Sequence, residues 1–245
     1  VKADPGQQAT LLDLQALDTR LSQIAHARTT IPQLAEIADL EGKASLLDDQ
    51  LVRSRTELGD VQRELIKAES DVQQVRDRAT RDQQRLDSGV GTAKDLTAIQ
   101  HELESLGRRQ AELEEVELEV MERVEAIQSD VAELERGRSE LTERLTRLES
   151  ERDARLAELD TDEAQVSAPR GELVSGAGEA LVALYDKIRA TSGTGAAALR
   201  QRRCGGCQLE LNPVALREIK AAPEDEVLRC EECRRILVRT PESGL

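Results

Sequence analysis

Ile99, Leu106, Leu113, Val120, Ile127, Leu134, Leu141 and Leu148 recur every seven residues without a break. An apolar repeat of that period, held for so long, commits a chain to helices packed along one seam. The companion position carries Leu96, Leu103, Val124, Val131, Leu145 and Leu159, interrupted by Gln110, Glu117, Arg138 and Arg152. A second register precedes it: Ile37, Ala44, Leu51, Leu58, Leu65, Val72, Ala79 and Leu86, partnered by Leu40, Leu47, Ser54, Val61, Ala68, Val75 and Asp82. Between the two runs, Asp87-Ser88-Gly89-Val90-Gly91 supplies two helix-breaking glycines. Thr92-Ala93-Lys94-Asp95 then has the spacing of a capping box with Thr92 as the cap. A short glycine-containing link between two long heptad runs predicts an antiparallel helical hairpin. A helix over 92–166 would be about 110 Å long.

Composition agrees. The chain has no Trp, no Phe and a single Tyr, while 34% of its residues are charged. Aromatic side chains supply much of the buried area of a globular core, and here they are missing. A helix over 7–30 carries Leu14, Leu17, Leu21 and Ile24. It ends near Thr29-Thr30-Ile31-Pro32, where proline disfavours helical geometry at Ile31 and opens the next helix, giving a bend. The spacing predicts further helices over 32–87 and 92–166. Leu173, Ala177, Leu181, Leu184 and Ile188 mark one over 172–190, weakened at its start by Gly176 and Gly178. Residues 191–199, opening with Thr191-Ser192-Gly193-Thr194-Gly195, read as a flexible linker to a mobile C-terminal module.

That module, 200–245, holds all four cysteines as Cys204-Gly205-Gly206-Cys207 and Cys230-Glu231-Glu232-Cys233. Two Cys-x2-Cys knuckles at this separation have the spacing of a structural zinc site, in which four thiolates close a tetrahedron around one ion. Four sulfur ligands leave no position for a catalytic water. A redox dithiol fits poorly, because no βαβ pattern surrounds either pair; an iron–sulfur cluster is the competing metal reading. Asn212-Pro213 caps a short helix whose inward face is Val214, Leu216 and Ile219. Val227-Leu228-Arg229 and Ile236-Leu237-Val238 read as strands. So small a module buries little apolar surface, so zinc is expected to contribute directly to its folding. Chelation is expected to unfold it and to leave the helices intact. The fold class is therefore mainly α, a long antiparallel coiled-coil hairpin over 1–190 followed by a small C-terminal β zinc ribbon.

The net charge of −15 argues against the whole molecule lying on DNA or on an anionic membrane. No apolar run approaches the roughly 20 residues of a membrane span. Val1-Lys2-Ala3-Asp4-Pro5 lacks a leader's apolar segment, and thiols in metal spacing fit a reducing compartment, so a cytoplasmic location is expected. No nucleophile elbow, phosphate loop or acid pair marks an enzyme.

Two binding roles stay open. Arg202, Arg203, Arg229, Arg234, Arg235 and Arg239 flank the knuckles, in a module whose basic and acidic residues nearly balance, and offer phosphate contacts to RNA or DNA. With no aromatic in the ribbon, such contacts would go to the backbone. Alternatively the coiled coil docks a protein partner through its seam, or through the hairpin tip near Lys94, Gln100 and His101. The bland counterparts are arginines that keep a small domain soluble and a tip that is only a turn.

The chain resembles the bacterial C4-type zinc-ribbon proteins with an N-terminal coiled-coil hairpin. The resemblance rests on Ser88-Gly89-Val90-Gly91-Thr92-Ala93-Lys94-Asp95-Leu96, on Leu184-Tyr185-Asp186-Lys187-Ile188-Arg189, and on the knuckles with the following Arg234-Arg235-Ile236-Leu237. It implies one zinc on Cys204, Cys207, Cys230 and Cys233, and nucleic-acid binding or a regulatory, chaperone-like role toward other proteins. Two positions depart from the pattern. Val238 stands where the family often has an aromatic, and Gln208 and Arg234 stand where many knuckles place glycine.

Overall fold

The computed structural model describes residues 1–245. In chain order the elements are α1 (Pro5–Thr29), α2 (Pro32–Asp87), α3 (Ala93–Ser167), α4 (Arg170–Ala177), α5 (Glu179–Ser192), β1 (Ala196–Arg200), β2 (Arg203–Cys204), α6 (Pro213–Ala221), β3 (Leu228–Arg229) and β4 (Ile236–Val238). They form two compact units. One is Ala35–Glu149; the other combines Val1–Leu34 with Ser150–Leu245.

The Ala35–Glu149 unit is the expected antiparallel hairpin. Ile37 and Leu40 pack against Leu148, and further along Val61 packs against Val120 and Val124. Ion pairs follow the same register: Glu36 with Arg144, Asp48 with Arg138 at 2.7 Å, Glu64 with Arg123 at 2.9 Å and Arg76 with Glu114 at 2.6 Å. Arg138, a polar interruption of the heptad, is therefore an inter-helix partner. Exposed pairs of this kind are each worth about 0–1 kcal/mol, so they select register more than they stabilise. At the tip Gly89 adopts φ +66° and Gly91 φ +141°. The Asp95 carboxylate accepts from the Thr92 N–H at 3.0 Å, and the Thr92 hydroxyl accepts from the Asp95 N–H at 3.3 Å, which completes the capping box.

The other unit departs from expectation. Residues 191–199 are not a linker: β1 begins at Ala196, and Ala196 and Leu199 are buried. The sheet order is β2-β1-β4-β3, with β1 parallel to β4 in its centre and the other pairings antiparallel. Glycine at 195 serves close approach and not flexibility. A Cβ there would lie 2.4 Å from the Tyr185 ring and 2.6 Å from its carbonyl oxygen. The helix expected over 172–190 is two helices, α4 and α5, separated by Gly178 at φ +84°, a conformation that glycine adopts without a Cβ penalty.

The ribbon is not a mobile head either. Leu11 and Leu14 of α1, Leu181 and Tyr185 of α5, and Ala196, Ile236 and Val238 of the sheet share one buried core. Polar links reinforce it. The buried Gln15 side-chain oxygen accepts from the Gly195 N–H at 2.7 Å, and Gln8 donates to the carbonyls of Ala3 and Glu224. The Ala3 N–H donates to Asp225 at 2.9 Å. One core spans the boundary between 1–190 and 200–245, because the first helix and the last strand both contribute to it. Lower on the same unit, Ile24 and Ile31 pack against Leu159.

Candidate metal centre

Each knuckle is a tight turn at the end of a short strand. In the first, the Cys204 carbonyl accepts from the Gln208 N–H at 2.8 Å; in the second, Cys230 accepts from the Arg234 N–H at 2.9 Å. Gln208 and Arg234 consequently sit at φ +65° and φ +62°. This explains why glycine suits the position, and it leaves two non-glycine residues in a conformation that costs each of them of order 1 kcal/mol. Gly205 is held against the Ala198 carbonyl, which a Cβ would approach to 2.9 Å.

These turns aim all four sulfurs at one point. Cys204 Sγ lies 3.8 Å from Cys233 Sγ, and Cys207 Sγ lies 3.9 Å from Cys230 Sγ. All four lie within 4.8 Å of one another. Sulfurs held about 2.3 Å from a central zinc occupy a tetrahedron with edges of about 3.8 Å, so the quartet fits the ion in both number and spacing. The protein adds donors around it. Backbone N–H groups of Gly206 and Cys207 point at Cys204, and those of Glu232 and Cys233 point at Cys230.

Without a cation, burial pushes the Cys230 thiol up to about 12 and raises Cys204 as well, against the help of those donors. At Cys233 burial is outweighed by the Arg235 N–H and by the neighbouring thiols, which lower it to about 7. Neutral thiols at Cys204 and Cys230 must therefore release protons when metal binds, so affinity weakens as pH is lowered. No open ligand position remains, so the centre holds structure.

The arginines around the knuckles divide. Arg202, Arg203, Arg229 and Arg234 are exposed. Arg229 Nε donates to the Arg234 carbonyl at 2.9 Å, which brings those two together. Arg203 and Arg229 lie on β2 and β3, the two outer strands of the sheet. Two residues expected to contact nucleic acid are committed internally. Arg239 donates to the carbonyls of Ala222, Pro223 and Glu224 at 2.7–3.0 Å and closes the turn after α6. Arg235 lies across Gly206, its Nη2 3.5 Å from the Ser192 carbonyl. The proposed tip residues Lys94, Gln100 and His101 are all exposed, with His101 Nδ1 3.6 Å from the Glu104 carboxylate.

Sequence reasoning missed a charged cluster beneath the ribbon. Asp18, only 1% exposed, accepts from the Tyr185 hydroxyl at 3.0 Å and from Arg170 Nε at 3.0 Å, and pairs with Arg189 Nη1 at 3.2 Å. The signal was present. Asp18 lies four residues beyond Leu14 on the apolar stripe of α1, and Tyr185 is the sole aromatic.

Fold and sulfur site together define a coiled-coil protein with a structural four-cysteine zinc ribbon. Residues 14–193 match the CT398-like coiled coil hairpin domain and residues 203–237 the C4-type zinc ribbon domain. The chain belongs to this CT398-like family. It is 39% identical to protein Rv2229c of Mycobacterium tuberculosis over 239 residues, 98% of each chain. A solved structure from Mycobacterium smegmatis superposes with a TM-score of 0.85 at 40% identity, covering 98% of this chain and 100% of that one. CT398 of Chlamydia trachomatis shares the fold at 16% identity, with a TM-score of 0.67 over 96% of this chain and 98% of its own. No helix is long and apolar enough to cross a membrane.

Proposed function

We propose that this protein is a non-enzymatic binding protein whose ribbon contacts the backbone of a nucleic acid. The observation that carries this reading is the placement of Arg202, Arg203, Arg229 and Arg234. All four stay exposed on the hairpins that carry the sulfur site, whereas Arg235 and Arg239 are turned inward. Charge without aromatic platforms favours phosphate contact of low sequence selectivity. Fluorescence anisotropy with single-stranded RNA and DNA across a salt series tests it. Binding should weaken with salt at a slope of about −0.7 per phosphate neutralised. Reversing the four arginines to glutamate should abolish both the binding and the slope. Salt-independent binding, or equal binding by the reversed variant, would remove the basis for this reading.

A second reading, docking of a protein partner on the hairpin, is favoured by a separate observation. Leu46, Val52, Ile66, Leu118 and Met121 are exposed along α2 and α3. Single exposed apolar residues are ordinary, so it ranks second. Capture of the same protein by the wild type and by the arginine-reversed variant would favour it over the first.

A further inference from the structure

β1 and β4 run side by side, Ala196 opposite Ile236 and Ala198 opposite Val238. Alternate residues of a strand face opposite ways, and here the two faces serve different cores. Ala197, Leu199 and Leu237 belong to the cluster that contains the four cysteines. Ala196, Ile236 and Val238 belong to the cluster built by Leu11, Leu14 and Tyr185. The two strands are one wall shared by a metal-side core and a helix-side core.

The metal-side core is small and the four cysteines are part of it, so an ion that bridges their sulfurs also ties that core together. Besides the Asp18 cluster, three polar ties run from the N-terminal segment to the backbone around the sheet: Gln15 and Gln8 of α1 reach Gly195 and Glu224, and Ala3, just before α1, reaches Asp225. The first needs the start of β1 in place, and the other two need the α6–β3 loop.

We propose that zinc occupancy sets whether α1 is docked. With the thiolates bridged, β1 and β4 hold their register and present Ile236 and Val238 to α1. With the site emptied, the strands separate, α1 leaves α5, and its Leu11–Leu14 face becomes an exposed apolar surface. The device is a metal-dependent conformational switch, and it does not depend on nucleic-acid binding.

Tyr185 makes the test direct, because it is the single aromatic residue and is fully buried. The full chain is compared zinc-loaded, stripped by a chelator with metal loss verified, and reloaded. Amide hydrogen exchange and acrylamide quenching of Tyr185 fluorescence are read in each state. A Cys207→Ser/Cys233→Ser variant is run in parallel. On stripping, amides over 8–24 and 181–188 should exchange at least about tenfold faster and Tyr185 should become quenchable. Amides over 61–72 and 120–131 should be unchanged, and reloading should reverse the effect. Faster exchange at the knuckles with residues 8–24 unchanged within twofold would overturn the proposal. So would an unaltered chain after verified metal loss, or equal loosening of the hairpin. Should the serine variant aggregate, the stripped wild-type chain decides alone.

Discussion

Asp18→Asn removes one negative charge from the centre of the α1–α5 interface while keeping the shape of the side chain. Three donors converge on that carboxylate: the Tyr185 hydroxyl and the guanidinium groups of Arg170 and Arg189. A hydrogen bond to a charged group contributes about 1.5–3 kcal/mol, and breaking a fully buried pair costs about 3–5 kcal/mol. The two guanidinium groups here are 34% and 29% exposed, so water takes over part of what they lose. The amide also keeps one acceptor oxygen. A loss of about 2–3 kcal/mol follows from the discounted ion pairs alone. Urea unfolding followed through Tyr185 reads this unit specifically, whereas total helix signal mixes two units and is not two-state. The midpoint should fall with an unchanged slope. Arg189→Met should cost much less in the Asp18→Asn background than alone, because the two share one interaction. A change below about 0.5 kcal/mol, or fully additive single effects, would refute the assignment of Asp18 as the charged anchor.

Gly195→Ala should destabilise the same unit by about 1–3 kcal/mol or more through overpacking against Tyr185, measured by the same unfolding curve. Gln208→Gly should gain up to about 1 kcal/mol by relieving the left-handed backbone, read as a higher chelator concentration needed to strip the metal. Burial, together with the adjacent Asp18 charge and hydrogen bond, raises the Tyr185 phenol above its usual 10.0. The folded state therefore favours the neutral phenol. That contribution is complete below the ordinary phenol value and is lost as pH rises past it. Stability should begin to fall near pH 10 and go on falling as pH climbs toward the raised folded value, and Tyr185→Phe should flatten the decline.

The hairpin was legible because its information repeats: each heptad restates the same seam, so scattered polar residues such as Ser54 and Asp82 do not erase it. The sulfur site was legible because two-residue gaps specify a turn and four thiols specify a tetrahedron. The docking of α1 was not legible. Asp18 and Tyr185 stand 167 residues apart, and no local period connects them. Thr191-Ser192-Gly193-Thr194-Gly195 misled for a different reason. Its composition is that of a flexible joint, yet Gly193 ends α5 at φ +74° and Gly195 makes room for a ring. Small residues signal freedom and tight packing alike, and only the neighbours distinguish them. The arginines divided for a similar reason. Arg234 and Arg235 are adjacent in sequence, but Arg234 is exposed and Arg235 lies across Gly206.

The packing of α1 against the last strand has a cost during synthesis. Leu11 is made 225 residues before Ile236, the side chain it finally meets. At about 5–20 residues per second, that is a wait of roughly ten to forty-five seconds. Until then the greasy side of α1 lacks the part of its cover that the last strand supplies. Anything that shortens the wait or shields that surface should raise the yield of native protein, and a ribosome stalled before the last strand should hold a chain that is sticky at α1.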